Sequence, residues 1–540
     1  MAQFINAKTD IIQDAINGLV AASGGRLARL DGYPFTRVVV RSDWDKEKVA
    51  IISGGGSGHE PAHAGYVGEG MLTAAICGDV FASPSVDAVL AGIRAVTGAA
   101  GCLLIVKNYT GDRLNFGLAA ARARESGLKV NMVIVGDDIA IPDLKQPRGV
   151  AGTLFVHKIA GATAESGRDL DVVTAAAQRA ADQVFSIGMS LSTCTMPGGA
   201  REDRLAEGEI ELGLGIHGEP GAETLPFETA SKALSSAIER LTPHLEAPHY
   251  VAMLNNLGGT TALEMSILVE TLRTSRIGDR VSHIIGPAAM MTALDMHGFS
   301  ISLYPADRED LERLSAPTRI SAWPGLNSFS APGVVAMPAA EVGEHVSPSL
   351  DSRTEALLKS CCTALIEAEP DLNALDAKSG DGDTGSTLAT AARAILDGMD
   401  RLPLNDSTLL LRALGRILSE TMGGSSGVLL AVFFSAAAEA SAKQKDLIAA
   451  LSDGLSRMED VGGAKPGDRT MIDALAPALE ALGNGFAAAA SAAREGANAT
   501  AAMTKANAGR ASYVSATKLD GHTDPGAEAV ARLFERIAAQ

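Results

Sequence analysis

The sequence predicts two units of different class, an α/β unit made of residues 1–325 and an all-α unit made of residues 350–540, with a linker over 326–349. Three observations carry this. Through the first three hundred residues, short β-branched runs alternate with helix-like stretches. Around Trp323-Pro324-Gly325, Ala331-Pro332-Gly333 and Ser347-Pro348 neither the period of 2 nor that of 3.6 survives. Beyond them, alanine-rich helical patterns follow one another without a strand candidate.

In chain order, residues 38–40, 49–52, 103–106, 132–135, 251–254 and 284–285 read as strands. Several run straight into polar or glycine-rich segments: Ser53-Gly54-Gly55-Gly56, Lys107-Asn108-Tyr109, Gly136-Asp137-Asp138 and Asn255-Asn256-Leu257-Gly258-Gly259. Strand, polar loop, helix is how an α/β fold presents a ligand site, at the carboxyl ends of parallel strands. Asp112, expected in such a loop, is therefore a better functional candidate than a residue inside an element. In the second unit, 355–367, 386–399, 407–421, 428–442, 445–458, 470–482, 486–506 and 527–538 read as about eight helices, leaving polar chemistry to the loops.

Composition excludes several classes. With 64 acidic and 46 basic side chains, a net charge of −18 argues against binding a nucleic-acid backbone through a basic face. No apolar stretch reaches the roughly 18 uncharged residues of a membrane span, and Asp10 and Asp14 spoil the first residues as a signal peptide. Five scattered cysteines without CxxC spacing exclude a disulfide framework and a zinc finger, and fit a reducing, cytoplasmic compartment.

Some literal motifs mislead. Gly213-x-Gly215-x-x-Gly218 and Gly380-x-Gly382-x-x-Gly385 spell a dinucleotide fingerprint. The first runs into Glu219-Pro220 where a helix must start, and the second holds Asp381 and Asp383, which repel a pyrophosphate unless a cation intervenes. Gly423-x-Ser425-x-Gly427 spells a nucleophile elbow, but a helical run precedes it rather than a strand, and no GxxxxGK[ST] exists.

The stronger signal is Asp376-Ala377-Lys378-Ser379-Gly380-Asp381-Gly382-Asp383-Thr384-Gly385-Ser386-Thr387, read as three aspartates on one glycine-rich turn before a helix. Clustered carboxylates make sense around hard cations, and magnesium brings phosphates as companions. A calcium loop fails for want of a glutamate at the twelfth position. Met422-Gly423-Gly424-Ser425-Ser426-Gly427, opening an apolar helix, suits an anion. Gly467-Asp468-Arg469-Thr470-Met471 and Ala508-Gly509-Arg510 each place an arginine beside small residues. In the first unit, Gly56-Ser57-Gly58-His59 and Gly215-Ile216-His217-Gly218 set imidazoles in accessible, glycine-rich surroundings.

These segments together identify the chain as resembling the ATP-dependent dihydroxyacetone kinases in which a ketose-binding domain is fused to a helical nucleotide domain. The match runs through ISGGGSGHEPAHAGYVGEGMLTAAICGDVFASPS (52–85), VKNYTGDRLNFGLA (106–119), LGLGIHGEPGA (212–222), LNALDAKSGDGDTGST (372–387), MGGSSGV (422–428), GDRTMIDAL (467–475) and KANAGRASYV (505–514). The resemblance implies two α/β subdomains followed by an eight-helix antiparallel barrel, and a homodimer. It implies that His217 holds the ketose carbonyl covalently as a hemiaminal, with Asp112 as base, His59 hydrogen-bonding beside it, and Gly56 and Lys107 lining the pocket. It implies two magnesium ions on Asp376, Asp381 and Asp383, and ATP contacts at Thr384, Ser386, Thr387, Gly423, Gly424, Ser425, Ser426, Arg469, Thr470, Met471, Arg510 and Asp524. The resemblance leaves open a kinase of erythrulose, or a non-enzymatic regulator or phosphocarrier acceptor with bound nucleotide. It also leaves open a side activity that cleaves FAD. The ketose and metal segments lie on opposite sides of the linker, so the two units are expected to meet, within one chain or across two.

Overall fold

The computed structural model describes residues 3–32, 34–142, 144–199, 204–338, 347–443 and 445–540; residues 339–346 of the expected linker lie outside them. The chain divides into two compact units, Met1–Val335 and Ala336–Gln540.

In the first unit, six strands form one sheet: β1 (Leu27–Arg29), β2 (Val38–Arg41), β3 (Ala50–Ser57), β4 (Ala74–Val80), β5 (Cys102–Lys107) and β6 (Val130–Val135). Their order is β1-β2-β4-β3-β5-β6, with β4, β3, β5 and β6 mutually parallel. Side chains alternate across the sheet. Ile52, Leu104 and Val106 pack on α2 (Val86–Val96) and α3 (Thr110–Glu125). Ile51, Leu103 and Ile105 pack on α1 (Ile11–Ala22), α4 (Thr153–Glu165) and α5 (Leu170–Gln183).

The second sheet is built from β7 (Phe185–Ser190), β8 (Glu209–Leu212), β9 (Glu223–Pro226), β10 (Tyr250–Asn256), β11 (Val281–Ala288), β12 (Gly298–Tyr304) and β13 (Leu326–Ser328), in the order β13-β11-β10-β12-β7-β8-β9. Only β10 and β11 run parallel, so this sheet departs from the expected parallel pattern. One face carries α6 (Ala230–Leu241) and α7 (Ala262–Arg273). The other contributes Val251, Met253 and Tyr304 to the core that holds α4, while α8 (Arg308–Ser315) adds Leu314. Helix α4 is consequently buried from Thr153 through Ala164.

Three expectations change here. The glycines Gly54–Gly56 lie inside β3 rather than after it. A Cβ on Gly54 would meet the Ile76 carbonyl oxygen at 2.3 Å, so close approach of β4 outweighs glycine's poor strand propensity. Asp112 sits in the first turn of α3 rather than in a loop. Leu326–Ser328, expected in the linker, pairs antiparallel with β11.

Among its described residues the second unit is built from helices joined by loops: α9 (Ser352–Glu367), α10 (Glu369–Ser379), α11 (Thr384–Asp397), α12 (Ser407–Thr421), α13 (Gly424–Ala442), α14 (Leu447–Gly462), α15 (Ile472–Ala481), α16 (Phe486–Thr500), the short α17 (Ala516–Leu519) and α18 (Pro525–Ala538). Helix α10 was not expected. It abuts α9 at Ala368, with Pro370 in its first turn, and like α9 it packs on α11 and α18. The rods close a ring, α9 on α11, then α12, α13, α14, α15, α16, α18 and back to α9. Helix α13 is long and apolar enough to cross a membrane by length and composition, contrary to the expectation from sequence. It packs between α12 and α14, burying Phe433, Ala437, Ala438 and Ala440.

Gly161→Ala tests the crowding around α4. A Cβ there would lie 2.4 Å from the Met71 Cα, an immovable backbone atom. The ordinary gain of Gly→Ala in a helix, about 0.5–1 kcal/mol, should reverse into a loss of about 1–3 kcal/mol from overpacking. Urea unfolding followed through the first unit reads the sign.

Candidate active site

Two polar centres stand out, one in each unit. In the first, the glycine run of β3 brings backbone against backbone. A Cβ on Gly56 would meet the Ala82 nitrogen at 2.7 Å, and one on Gly55 would lie 3.3 Å from an Asp112 carboxylate oxygen. The strand then turns at Gly58 (φ +98°) and delivers His59 into the interior, wholly buried. Its Nδ1–H donates to the Thr292 carbonyl at 2.8 Å, so Nε2 is the bare nitrogen. Burial, then the Lys107 charge, pushes the ring's pKa well below its ordinary value.

His217 arrives from the segment between β8 and β9. Its ring lies 4.9 Å from His59, 4.3 Å from Tyr109 and 5.4 Å from Phe81, edge-on to each. Phe81 itself holds φ 56°, a left-handed conformation that a bulky residue adopts only under constraint, and stacks on His59 at 5.2 Å. Glu219 fixes His217 from below: it accepts from the His217 backbone N–H at 2.9 Å and from Nδ1 at 3.2 Å. In the neutral ring Nδ1 therefore carries the hydrogen, and Nε2 is the nitrogen with the free lone pair. Burial raises the Glu219 carboxyl, but the hydrogen bond from His217, the charge that ring carries when protonated, and backbone N–H groups outweigh it and hold the carboxyl well below its ordinary value.

Lys107, the last residue of β5, is wholly buried, and burial lowers its pKa against the opposing charges of Asp112, Asp137, Glu219 and Glu60. Burial raises the Asp112 carboxyl, opposed by Lys107, a hydrogen bond from Ser83 and the charge of His217. His59 Nε2, Lys107 Nζ, Tyr109 OH and Asp112 Oδ1 are all buried without a hydrogen-bond partner among the described residues. Unpaired buried polar atoms are costly, so their grouping marks where a small polar ligand belongs. The structure thus brings together His217, His59, Asp112, Lys107 and Gly56. It adds Glu219, Tyr109, Phe81 and Thr292, which sequence reasoning missed; Glu219 had appeared only as an obstacle to a dinucleotide loop.

The second centre is the α10–α11 junction. Asp376 does not lie on the glycine turn; it sits in the last turn of α10, which ends at Ser379, and is buried. Its Oδ2 accepts from the backbone N–H groups of Gly382, Asp383 and Thr384 at 3.0–3.2 Å, which ties the turn to both helices. Asp381 and Asp383 are exposed, and the three carboxylates each place an oxygen within 4.8 Å of the others. Arg510 pairs with Asp381 and lies 3.7 Å from Asp383. An all-oxygen, three-carboxylate donor set balanced by one arginine suits magnesium. Asn373 bridges to Ser386, accepting from its N–H at 3.0 Å and donating to its hydroxyl at 2.9 Å. Thr384, Ser386 and Thr387 occupy the first turn of α11.

Met422 packs against Leu388 and Ala391 of α11, which brings the amino terminus of α13 to the same end of the ring. Gly423 caps that helix and Gly424 takes φ +72°, both with open space around them. Ser425 and Ser426 fall in its first turn, where the free N–H groups attract an anion. Asn507 ties the Arg510 segment to Asp468 at 2.8 Å. Beside it, Thr470 and Met471 are half-buried. Arg469 and Asp524 both turn their side chains inward. Arg469 is 1 % exposed and donates to the His522 carbonyl, and Asp524 caps α18 through the Ala527 N–H. Arg469 Nε and Nη1 are left buried without a hydrogen-bond partner among the described residues, whereas the Asp524 side chain serves as a helix cap.

Comparison with known proteins agrees with both halves. Residues 17–322 match the Dak1 domain family and residues 378–539 the DAK2 domain family. The chain is 48 % identical to the dihydroxyacetone kinase of Citrobacter freundii over 543 residues, covering 99 % of this chain and 98 % of that protein. It is 42 % identical to the triokinase/FMN cyclase of Bos taurus, covering 99 % and 98 %. The crystal structure of the C. freundii kinase in complex with AMP-PNP and Mg2+ superposes with a TM-score of 0.69 at 45 % identity, covering 100 % of this chain and 99 % of that one.

The two kinds of aspartate predict different stability effects. Asp376→Ala strips an acceptor from three N–H groups and should cost about 1–3 kcal/mol, lowering the thermal midpoint of the helical unit. Asp381→Ala, at an exposed position, should leave the midpoint unchanged or raise it slightly by relieving repulsion. Calorimetry without divalent cations compares them.

Proposed function

The chain belongs to the dihydroxyacetone kinase family, and from that premise we propose that it transfers the γ-phosphoryl group of ATP to dihydroxyacetone. The products are dihydroxyacetone phosphate and ADP. The observation that carries the reading is the convergence of His217 with the unpaired His59 Nε2, Lys107 Nζ and Asp112 Oδ1.

In this reading the His217 Nε2 lone pair adds to the ketose carbonyl. A C–N bond forms, the π electrons pass to oxygen, and that oxygen gains the proton which leaves Nδ1, a transfer that Glu219 can relay. The hemiaminal selects ketones, because glycerol has no carbonyl to trap. Lys107 and His59 hydrogen-bond the oxygens of the held substrate. Its terminal hydroxyl oxygen attacks the γ-phosphorus in line, the bond to the β-phosphate oxygen breaks, and Asp112 takes the hydroxyl proton. Burial supports this role by raising the basicity of Asp112. Asp376, Asp381 and Asp383 would hold magnesium, which neutralises phosphate charge. The first turns of α11 and α13, with Arg510, would cradle the phosphates, and the backbone of 469–471 and the Asp524 turn would border the nucleotide.

The proposal extends to a division at 1–325, 326–349 and 350–540, and to a cytoplasmic homodimer. All five cysteines are free, which suits a reducing compartment.

ADP release over dihydroxyacetone, glyceraldehyde, D- and L-erythrulose and glycerol tests the activity; the ketoses should respond and glycerol should not. Asp112→Asn should lower kcat by about 10²–10⁴-fold while the ketose still binds. A near-normal kcat with a lowered thermal midpoint would make Asp112 a helix-turn residue only. His217→Ala should fold normally and lose the covalent adduct; an adduct that persists in intact-mass spectra removes His217 from this role.

A further inference from the structure

Beside the ketose site lies a group of polar side chains that the chemistry above does not use. Ser53 on β3 donates its hydroxyl proton to the Ile105 carbonyl on β5 at 2.7 Å. Its oxygen remains an acceptor, and two imidazoles reach it. His157 Nε2 comes from α4 at 3.1 Å, and His63 Nδ1 from the segment after β3 at 3.4 Å. A ring nitrogen meeting an acceptor oxygen must carry the hydrogen, so one serine fixes both tautomers. The two rings stand edge to face, 5.2 Å apart.

Each ring is left with one bare nitrogen, Nδ1 of His157 and Nε2 of His63. Both are buried without a partner among the described residues, as is His59 Nε2. All three rings are neutral: burial, then the Lys107 charge, pushes each far below the ordinary range, His157 to about 3. Lys107 supplies the complement, since its ammonium has three N–H donors and Nζ has no partner among the described residues either. Three bare acceptors and one unpaired three-donor group thus share one buried region, in which each ring feels the Lys107 charge. The other charged groups facing Lys107 are Asp112 from α3, Asp137 after β6, Glu219 from the His217 segment and Glu60 after β3, with the Tyr109 ring 5.8 Å from Nζ.

We propose that His63 and His157 are positioning residues of the ketose site, whose Ser53-locked bare nitrogens accept from the Lys107 ammonium through bridging water and keep it protonated and aimed at the substrate. Neutral acceptors suit this task. A carboxylate in their place would draw the ammonium into an ion pair and away from the ligand, whereas an apolar floor would leave a buried charge unsolvated. The proposal rests on reading this pocket as the ketose site.

The test is kcat/KM for dihydroxyacetone against pH in the full-length protein, for wild type, His157→Leu, His157→Asn and Ser53→Ala. Protonated Lys107 is the working form, so kcat/KM falls as pH rises through its pKa, and loss of an acceptor brings that fall to lower pH. His157→Leu should move the alkaline limb down by about one unit, roughly a tenfold loss above it, expressed in the ketose KM and not in the ATP KM. His157→Asn keeps an acceptor oxygen and should restore most of the limb. Ser53→Ala frees both tautomers with little change in packing and should give an intermediate shift, which keeps the test decisive if His157→Leu does not fold. Alkaline limbs identical to wild type in Ser53→Ala and in the folded His157 variants overturn the proposal, as do equal shifts for His157→Leu and His157→Asn. No ketose-dependent ADP release from wild type would instead overturn the kinase reading, and this proposal with it.

Discussion

The first unit depends on the missing side chains of β3. Gly54 and Gly56 let the backbones at Ile76 and Ala82 approach to distances that a single Cβ would forbid. That closeness lets the end of the strand carry His59 inward while Lys107, from the neighbouring β5, reaches the same spot from the sheet. Any bulk there would part β3 from β4 and separate the imidazole, the ammonium and the Asp112 carboxylate. The strained backbone of Phe81 belongs to the same constraint, since its N–H is held by the Ser57 carbonyl at 2.9 Å.

The two centres treat charge in opposite ways. In the first unit the polar groups of the pocket are buried, and burial shifts them: the His59, His63 and His157 imidazoles towards neutrality, Asp112 towards higher basicity, Lys107 towards a weaker hold on its proton. In the helical unit Asp381 and Asp383 stay exposed to solvent, where like charges are tolerable, and only Asp376 is buried, its Oδ2 satisfied by three N–H groups. The first arrangement suits covalent capture of a small neutral ketose. The second suits a highly charged ligand whose cations complete the site.

Helix termini organise the second centre. The first turns of α11 and α13 come to one end of the ring through the packing of Met422 on Leu388 and Ala391. The segment around Arg510 is tied there by Asn507 and Asp468. Backbone N–H groups at two helix starts, rather than a glycine-rich P-loop with its lysine, are thereby gathered where an anion would be attracted.

Much of this was legible in the sequence. The class of each unit followed from hydrophobic period, because burial imposes that period on strands and helices wherever they occur. The aspartate cluster and the glycine-flanked histidines were legible because their chemistry needs those residue types close together in the chain. What stayed hidden involves partners distant in sequence. The extension of β3 through its glycines depends on the approach of β4. The helical state of Asp376 depends on α10, whose polar, proline-opened sequence shows little apolar period. The inward turn of Arg469 and Asp524 depends on the His522 carbonyl and the start of α18. The tautomers of His59, His63 and His157 are set by Thr292 and by Ser53, across 233, 10 and 104 residues of chain. Local sequence determined which groups were available; only tertiary packing decided which of their atoms were left unpaired, because pairing depends on distance in space and not along the chain.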